Sequence, residues 1–218
     1  MEILQEIWTF FLDLLRDTGG TLDILVSEYG VWVYAILFLI IFCETGLVVT
    51  PFLPGDSLLF LAGAIAVRPD NALHVYWLIL ILIIAAVTGD AANYTIGRFF
   101  GKKLFANKDS KIFKQKYLEQ TNRFYEKHGG KTIILARFVP IVRTFAPFVA
   151  GIGKMNYMHF FSFNVTGGIL WVTAFCILGV FVGRLEWVEK NLDIVVILII
   201  FISILPAVAE VLKAKAKQ

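Results

Sequence analysis

The sequence predicts an all-α integral membrane protein: an inverted repeat of amphipathic helix, re-entrant hairpin and transmembrane helix, closed by a final transmembrane helix. Three observations carry this. The 218 residues are 58% hydrophobic and only 17% charged, where a soluble domain carries about a quarter charged residues, and the mean hydropathy is +0.76. Several apolar stretches reach the roughly 20 residues needed to cross a hydrocarbon core of about 30 Å. Two further apolar regions are cut by prolines and glycines that sit beside ionisable side chains. The length admits one membrane domain over residues 1–218 and leaves no room for an appended catalytic domain.

In residues 1–17, Ile3, Leu4, Ile7, Trp8, Phe11, Leu14 and Leu15 recur at helical spacing opposite Glu2, Glu6 and Asp13. That pattern predicts an amphipathic interfacial helix ended by Gly19-Gly20. With Asp17 also acidic and no basic leading segment, no cleaved signal peptide is expected. The next region, 31–67, is broken. Val31 to Cys43 is uncharged but would make only about 20 Å of helix. Glu44, Pro51, Pro54, Gly55 and Asp56 follow, and a second short apolar run begins at Ser57. Prolines remove amide donors and clash with the preceding turn, so two half-length helices forming a re-entrant hairpin are expected. One kinked span over all of 31–67 would be too long.

Residues 75–97 are long enough to cross, interrupted only by Asp90. The loop 98–131 then holds Arg98, Lys102, Lys103, Lys108, Lys111, Lys114, Lys116, Arg123, Lys127 and Lys131, half of the chain's 20 Lys and Arg. The positive-inside rule places it in the cytoplasm, and Phe113, Tyr117 and Phe124 have the spacing to lay it on anionic headgroups. A second broken segment, 132–153, carries Arg137, Pro140, Arg143, Pro147 and Gly151. Residues 155–183 make a clear crossing helix and 192–211 a last one. The basic tail Lys213, Lys215 and Lys217 puts the C-terminus in the cytoplasm; Arg16 is the one basic residue before residue 30, so the side of the N-terminus stays open. With loop and tail on one side, the two hairpins must open to opposite sides, a plan that places a site between broken helices at the midplane. Between the halves, little more than Thr50-Pro-Phe-Leu53 against Ala146-Pro-Phe-Val149 is shared.

Ionisable groups in hydrocarbon are costly and point to function. They are Glu44, Asp56 and Asp90 against Arg137 and Arg143. On unbroken helices Glu44 and Asp56, or Arg137 and Arg143, would stand about 120° apart, but each pair flanks a proline break. If the hairpins meet tip to tip, two acids face two arginines. A purely structural cluster is the competing reading, although a buried ion pair rarely stabilises more than an apolar replacement. Arginine keeps its charge when buried and its planar fork suits phosphate oxygens. Glu44 and Asp56 would hold the arginines at rest and release them on protonation or on displacement by a phosphate.

Other motifs read more plainly. Cys43 and Cys176 lie in apolar runs and read as small hydrophobes, while His74, His128 and His159 show no ligand spacing, so no metal is expected. Gly55-Asp56-Ser57-Leu58 repeats a hydrolase string, but a serine hydrolase needs a positioned histidine and no Asp-x-x-His follows; no enzyme activity, cofactor or nucleic-acid partner is expected. Gly97-Arg98-x-x-Gly101 reads as close helix packing with Arg98 snorkelling to the interface. Gly179-x-x-x-Gly183 and Gly167-Gly168 read equally as packing or as a homo-oligomer face.

Glu44 with Pro51-Phe-Leu-Pro54-Gly55-Asp56, Gly97-Arg98-x-x-Gly101, and Arg137-Phe-x-Pro140-x-x-Arg143-Thr-Phe-x-Pro147-x-x-Ala150-Gly151 resemble the bacterial DedA family, of the SNARE-associated (VTT-domain) superfamily, most closely in its gammaproteobacterial form. The resemblance spans nearly the whole chain. It implies an inner-membrane protein with two opposed re-entrant loops, a role in the envelope, and lipid-carrier recycling: movement of undecaprenyl phosphate from outer to inner leaflet, with proton coupling in some members. It also implies functional acids at Glu44 and Asp56 and functional arginines at Arg137 and Arg143. Two alternatives stay open: a proton-coupled transporter of a small ion or solute, and a non-transporting membrane organiser.

Overall fold

The computed structural model describes residues 30–47, 55–67, 73–104 and 115–185. Among these all regular structure is helical: α1 Trp32–Gly46, α2 Gly55–Ile65, α3 Val75–Leu104, α4 Gln115–His128, a 3₁₀ turn Gly129–Lys131, α5 Thr132–Ala136, α6 Pro140–Ile152 and α7 Tyr157–Gly183. The expected helix over 1–17, Pro51 and Pro54, part of the basic loop (105–114), the last helix over 192–211 and the basic tail lie outside the described residues.

Two helices have the length and hydropathy to cross a bilayer, Val75–Gly101 within α3 and Tyr157–Gly183. The expected crossing helix 75–97 continues to Leu104, so Arg98, Lys102 and Lys103 are helical and not in a loop. Nothing in Gly97-Arg98-Phe-Phe-Gly101 stops a helix, because its glycines are covered by a neighbour. The basic stretch folds again into α4. Its Thr121 is buried and the Tyr125 hydroxyl donates to the Ala146 carbonyl at 2.9 Å, so one face of α4 is committed to α6. Phe113 and the side chains of Tyr117 and Phe124 lie outside the described residues. At α7 the first turn is capped by Asn156, whose Oδ1 accepts from the amides of Met158 and His159 at 3.0 and 3.2 Å.

The second broken segment has one interruption. α5 tightens at its end with amides of Arg137, Phe138 and Val139 reaching back three residues. Val139 is extended (φ −121°, ψ 106°), as the residue before a proline must be, and Pro140 opens α6. Pro147 sits inside α6 without ending it. One proline deletes one amide donor, and the rest of the ladder holds.

Contacts divide the chain into two compact units. The first contains residues up to Ala35, Pro54–Leu78 and Ala174 onward. Here α2 lies against the end of α7 at backbone distance: a Cβ on Gly63 would fall 2.2 Å from the Cys176 carbonyl oxygen, and one on Gly179 1.9 Å from that of Phe60. Gly179 and Gly183 therefore serve intramolecular packing in this unit. The second unit, Ile36–Leu53 with Ile79–Thr173, has its core in Tyr94, Ile133, Ala136, Val142, Ala146, Ala150 and Phe160. There α3 and α6 cross at Gly97 and Gly151, where a Cβ would meet the Phe148 or Tyr94 carbonyl at 2.2 or 2.1 Å.

Candidate functional site

Within the second unit four helices and one turn bring opposite charges together. Arg137, in the turn between α5 and α6, donates through Nη2 to Asp90 Oδ2 at 2.6 Å and to Asn164 Oδ1 at 2.7 Å. Arg143, one turn into α6, donates through Nη2 to Glu44 Oε1 at 2.6 Å. The break at Val139–Pro140 is what allows this. On a continuous helix the two arginines would diverge, whereas here both guanidinium carbons lie over one indole, Trp171, at 5.7 and 5.5 Å from its ring centre. A desolvated cation–π contact is worth about 2 kcal/mol, which offsets part of the cost of gathering two cations. Glu44 and Asp90 set negative charge against them.

All five side chains are buried: Glu44 1%, Asp90 3%, Arg137 3%, Arg143 8% and Trp171 0% exposed. Neutral amides complete the arrangement. Asn164 Nδ2 donates to the Val87 carbonyl, fixing the amide whose oxygen receives Arg137. Asn93, one turn beyond Asp90 on α3, donates to the carbonyls of Thr45 and Thr144 at 2.9 Å each, the residues that follow Glu44 and Arg143. It thereby ties the backbones on which that ion pair rests. Room for Arg137 comes from Gly167, whose Cβ would stand 3.0 Å from Arg137 Nε. At the α1–α3 crossing, a Cβ on Gly89 would fall 1.9 Å from Thr45 Oγ1, so Glu44 and Asp90 lie on helices in backbone contact.

Of the residues singled out from sequence, Glu44, Asp90, Arg137 and Arg143 are brought together. The acid on Arg137 is Asp90. Asp56 lies in the first turn of α2, half-buried, in the other unit. Gly55 opens α2; Pro140 and Pro147 shape α6; Gly151 and Arg98 belong to the α3–α6 crossing. Ser57 of the hydrolase-like string is buried in α2. Sequence reasoning missed Asn93, Asn164 and Trp171. For the two asparagines a signal was present: amides inside long apolar helices need partners. Trp171 looked like any other membrane aromatic.

The VTT domain family model matches residues 53–181. The chain is 60% identical over 206 residues to Protein DedA of Escherichia coli, covering 94% of each. It is 41% identical over 174 residues to an uncharacterized membrane protein of Mycobacterium tuberculosis, covering 80% of this chain and 76% of that one. It is 32% identical over 183 residues to inner membrane protein YqjA of E. coli, covering 84% and 78%. No solved structure matches.

Proposed function

The chain belongs to the DedA family of VTT-domain membrane proteins, and on that footing we propose that it is a lipid translocase, moving undecaprenyl phosphate from the outer to the inner leaflet of the bacterial inner membrane. One observation carries the reading: two buried arginines over a single indole, Arg137 paired with Asp90 and Arg143 with Glu44. Buried ion pairs are a poor way to stabilise a fold, and paired arginines suit a phosphate. At rest Glu44 occupies Arg143 and Asp90 occupies Arg137. Protonation of the acids, or displacement by the incoming phosphate, exposes the guanidinium forks, while the polyprenyl tail stays in lipid. Asp56 is kept as a candidate proton-coupling acid on α2. The activity is transport without an enzymatic step, cofactor or metal; the partners are membrane lipids and, as an open option, a second copy. The C-terminus is cytoplasmic in this reading.

The test is leaflet-resolved transfer of labelled undecaprenyl phosphate in proteoliposomes, with and without a pH gradient. Transfer is expected with the wild type and lost in R137A/R143A, the variant remaining folded in the membrane. Transfer by the double variant at the wild-type rate, or none by the wild type in either condition, refutes the proposal. Solute uptake in liposomes free of polyprenyl lipid would support the transporter alternative.

A further inference from the structure

We propose that Arg98 and Lys154 form an interfacial site for the phosphodiester headgroup of an anionic phospholipid, separate from the buried ion pairs and independent of the translocase reading. The Arg98 Nη1 donates to the Tyr94 hydroxyl at 2.9 Å, and that hydroxyl donates to the Met155 carbonyl. Tyr94 is itself 2% exposed and stacked on Phe160 with ring centres 4.5 Å apart. A buried phenol thus anchors an exposed guanidinium beside the turn that joins α6 to α7. The backbone of Arg98 is drawn to that turn as well, since a Cβ on Gly151 would stand 2.7 Å from the Arg98 amide nitrogen.

Lys154 occupies the turn. The amides of Lys154 and Met155 close on the Gly151 and Ala150 carbonyls at 3.0 Å each, the double closure that ends a helix with a left-handed residue. Among the described residues Lys154 is the one non-glycine with positive φ, +52°. Glycine is the residue this position favours, so a lysine here keeps an exposed ammonium at a backbone cost. That cost points to a use for the charge. Exposed apolar side chains flank the two cations: Phe99 (74%) and Phe100 on α3, Tyr157 and Met158 (75%) on α7. An anchored guanidinium and an exposed ammonium near the ends of apolar helices, rimmed by aromatics, match a headgroup phosphate above acyl chains. Tyr94 acts as a positioning residue through Arg98.

The purified full chain in neutral detergent is titrated with dioleoyl phosphatidylglycerol or dioleoyl phosphatidylcholine, and binding is read by native mass spectrometry. Each cation near a headgroup is worth about fivefold in affinity, so R98Q/K154Q is expected to weaken phosphatidylglycerol on the order of twentyfold and leave phosphatidylcholine unchanged. K154G, whose backbone suits the turn, is expected to fold at least as well as wild type and still lose about fivefold; it decides the matter if the double variant does not fold. Y94F should weaken phosphatidylglycerol by a smaller factor. An unchanged lipid preference in K154G or R98Q/K154Q overturns the site. So does an equal loss in K213Q/K215Q, which would mark non-specific charge, or full competition by glycerol phosphate, which would mark an anion site with no need of a lipid.

Discussion

Removing the carboxylate of Asp90 is the sharpest perturbation of the buried cluster. Arg137 is 3% exposed, and its charged partner is Asp90 at 2.6 Å; Asn164 adds only neutral oxygens at 2.7 and 3.5 Å. In D90A a guanidinium stays in the interior with no carboxylate on Nη2, and breaking a buried pair this way costs about 3–5 kcal/mol. For a chain of this size each kcal/mol shifts the midpoint by about 2–4 °C, so D90A should unfold about 6–20 °C below wild type. D90A/R137M removes both charges. Methionine retains much of the stem that Gly167 accommodates, so little cavity forms, and stability should return to within about 1 kcal/mol of wild type. Thermal unfolding of the purified variants in one detergent, followed by near-ultraviolet circular dichroism, measures both. A D90A midpoint within about 2 °C of wild type, or a double variant no more stable than D90A, would show that the ion pair does not hold Arg137 as described. The folded double variant should also be inactive in lipid transfer if Arg137 binds the phosphate.

Asn93→Ala leaves the buried carbonyls of Thr45 and Thr144 without the amide that bridges them; a loss of about 1–3 kcal/mol in the same unfolding assay is expected, and a neutral effect would refute the clamp. Gly179→Ala puts a methyl 1.9 Å from the Phe60 carbonyl oxygen and should cost about 1–3 kcal/mol. By contrast Gly153→Ala, with 3.3 Å to its nearest atom and negative φ, should cost less; equal losses would contradict the α2–α7 contact. Burial first, and the charge of Asp90 second, hold the Tyr125 phenol far above its ordinary value of 10.0. Above pH about 10 the unfolded chain therefore ionises at this position while the native one does not. Stability should fall with rising pH by up to about 1.4 kcal/mol per unit more in wild type than in Y125F, and parallel curves for the two proteins would remove the claim.

Much of this protein is legible in one dimension. A bilayer demands apolar runs of a fixed length and satisfied backbone, so the crossing helices, the proline-cut segments and the ionisable residues that stand out in hydrocarbon can be read directly. Glu44, Asp90, Arg137 and Arg143 were visible by cost alone, because a charge in an apolar run has no neighbours to excuse it. Partnership was not visible. That Asp90 meets Arg137 depends on how α3 passes the α5–α6 turn, which is set by glycine contacts such as Gly89 on Thr45 and Gly167 on Arg137. The continuation of α3 to Leu104 and the passage of α6 through Pro147 were likewise decided by packing, since local helix-breaking tendencies amount to a few kcal/mol and neighbours can outweigh them. Sequence determined which charges enter the membrane; only the tertiary structure decided which of them touch, because contact between distant residues is fixed by helix crossings that no local pattern encodes.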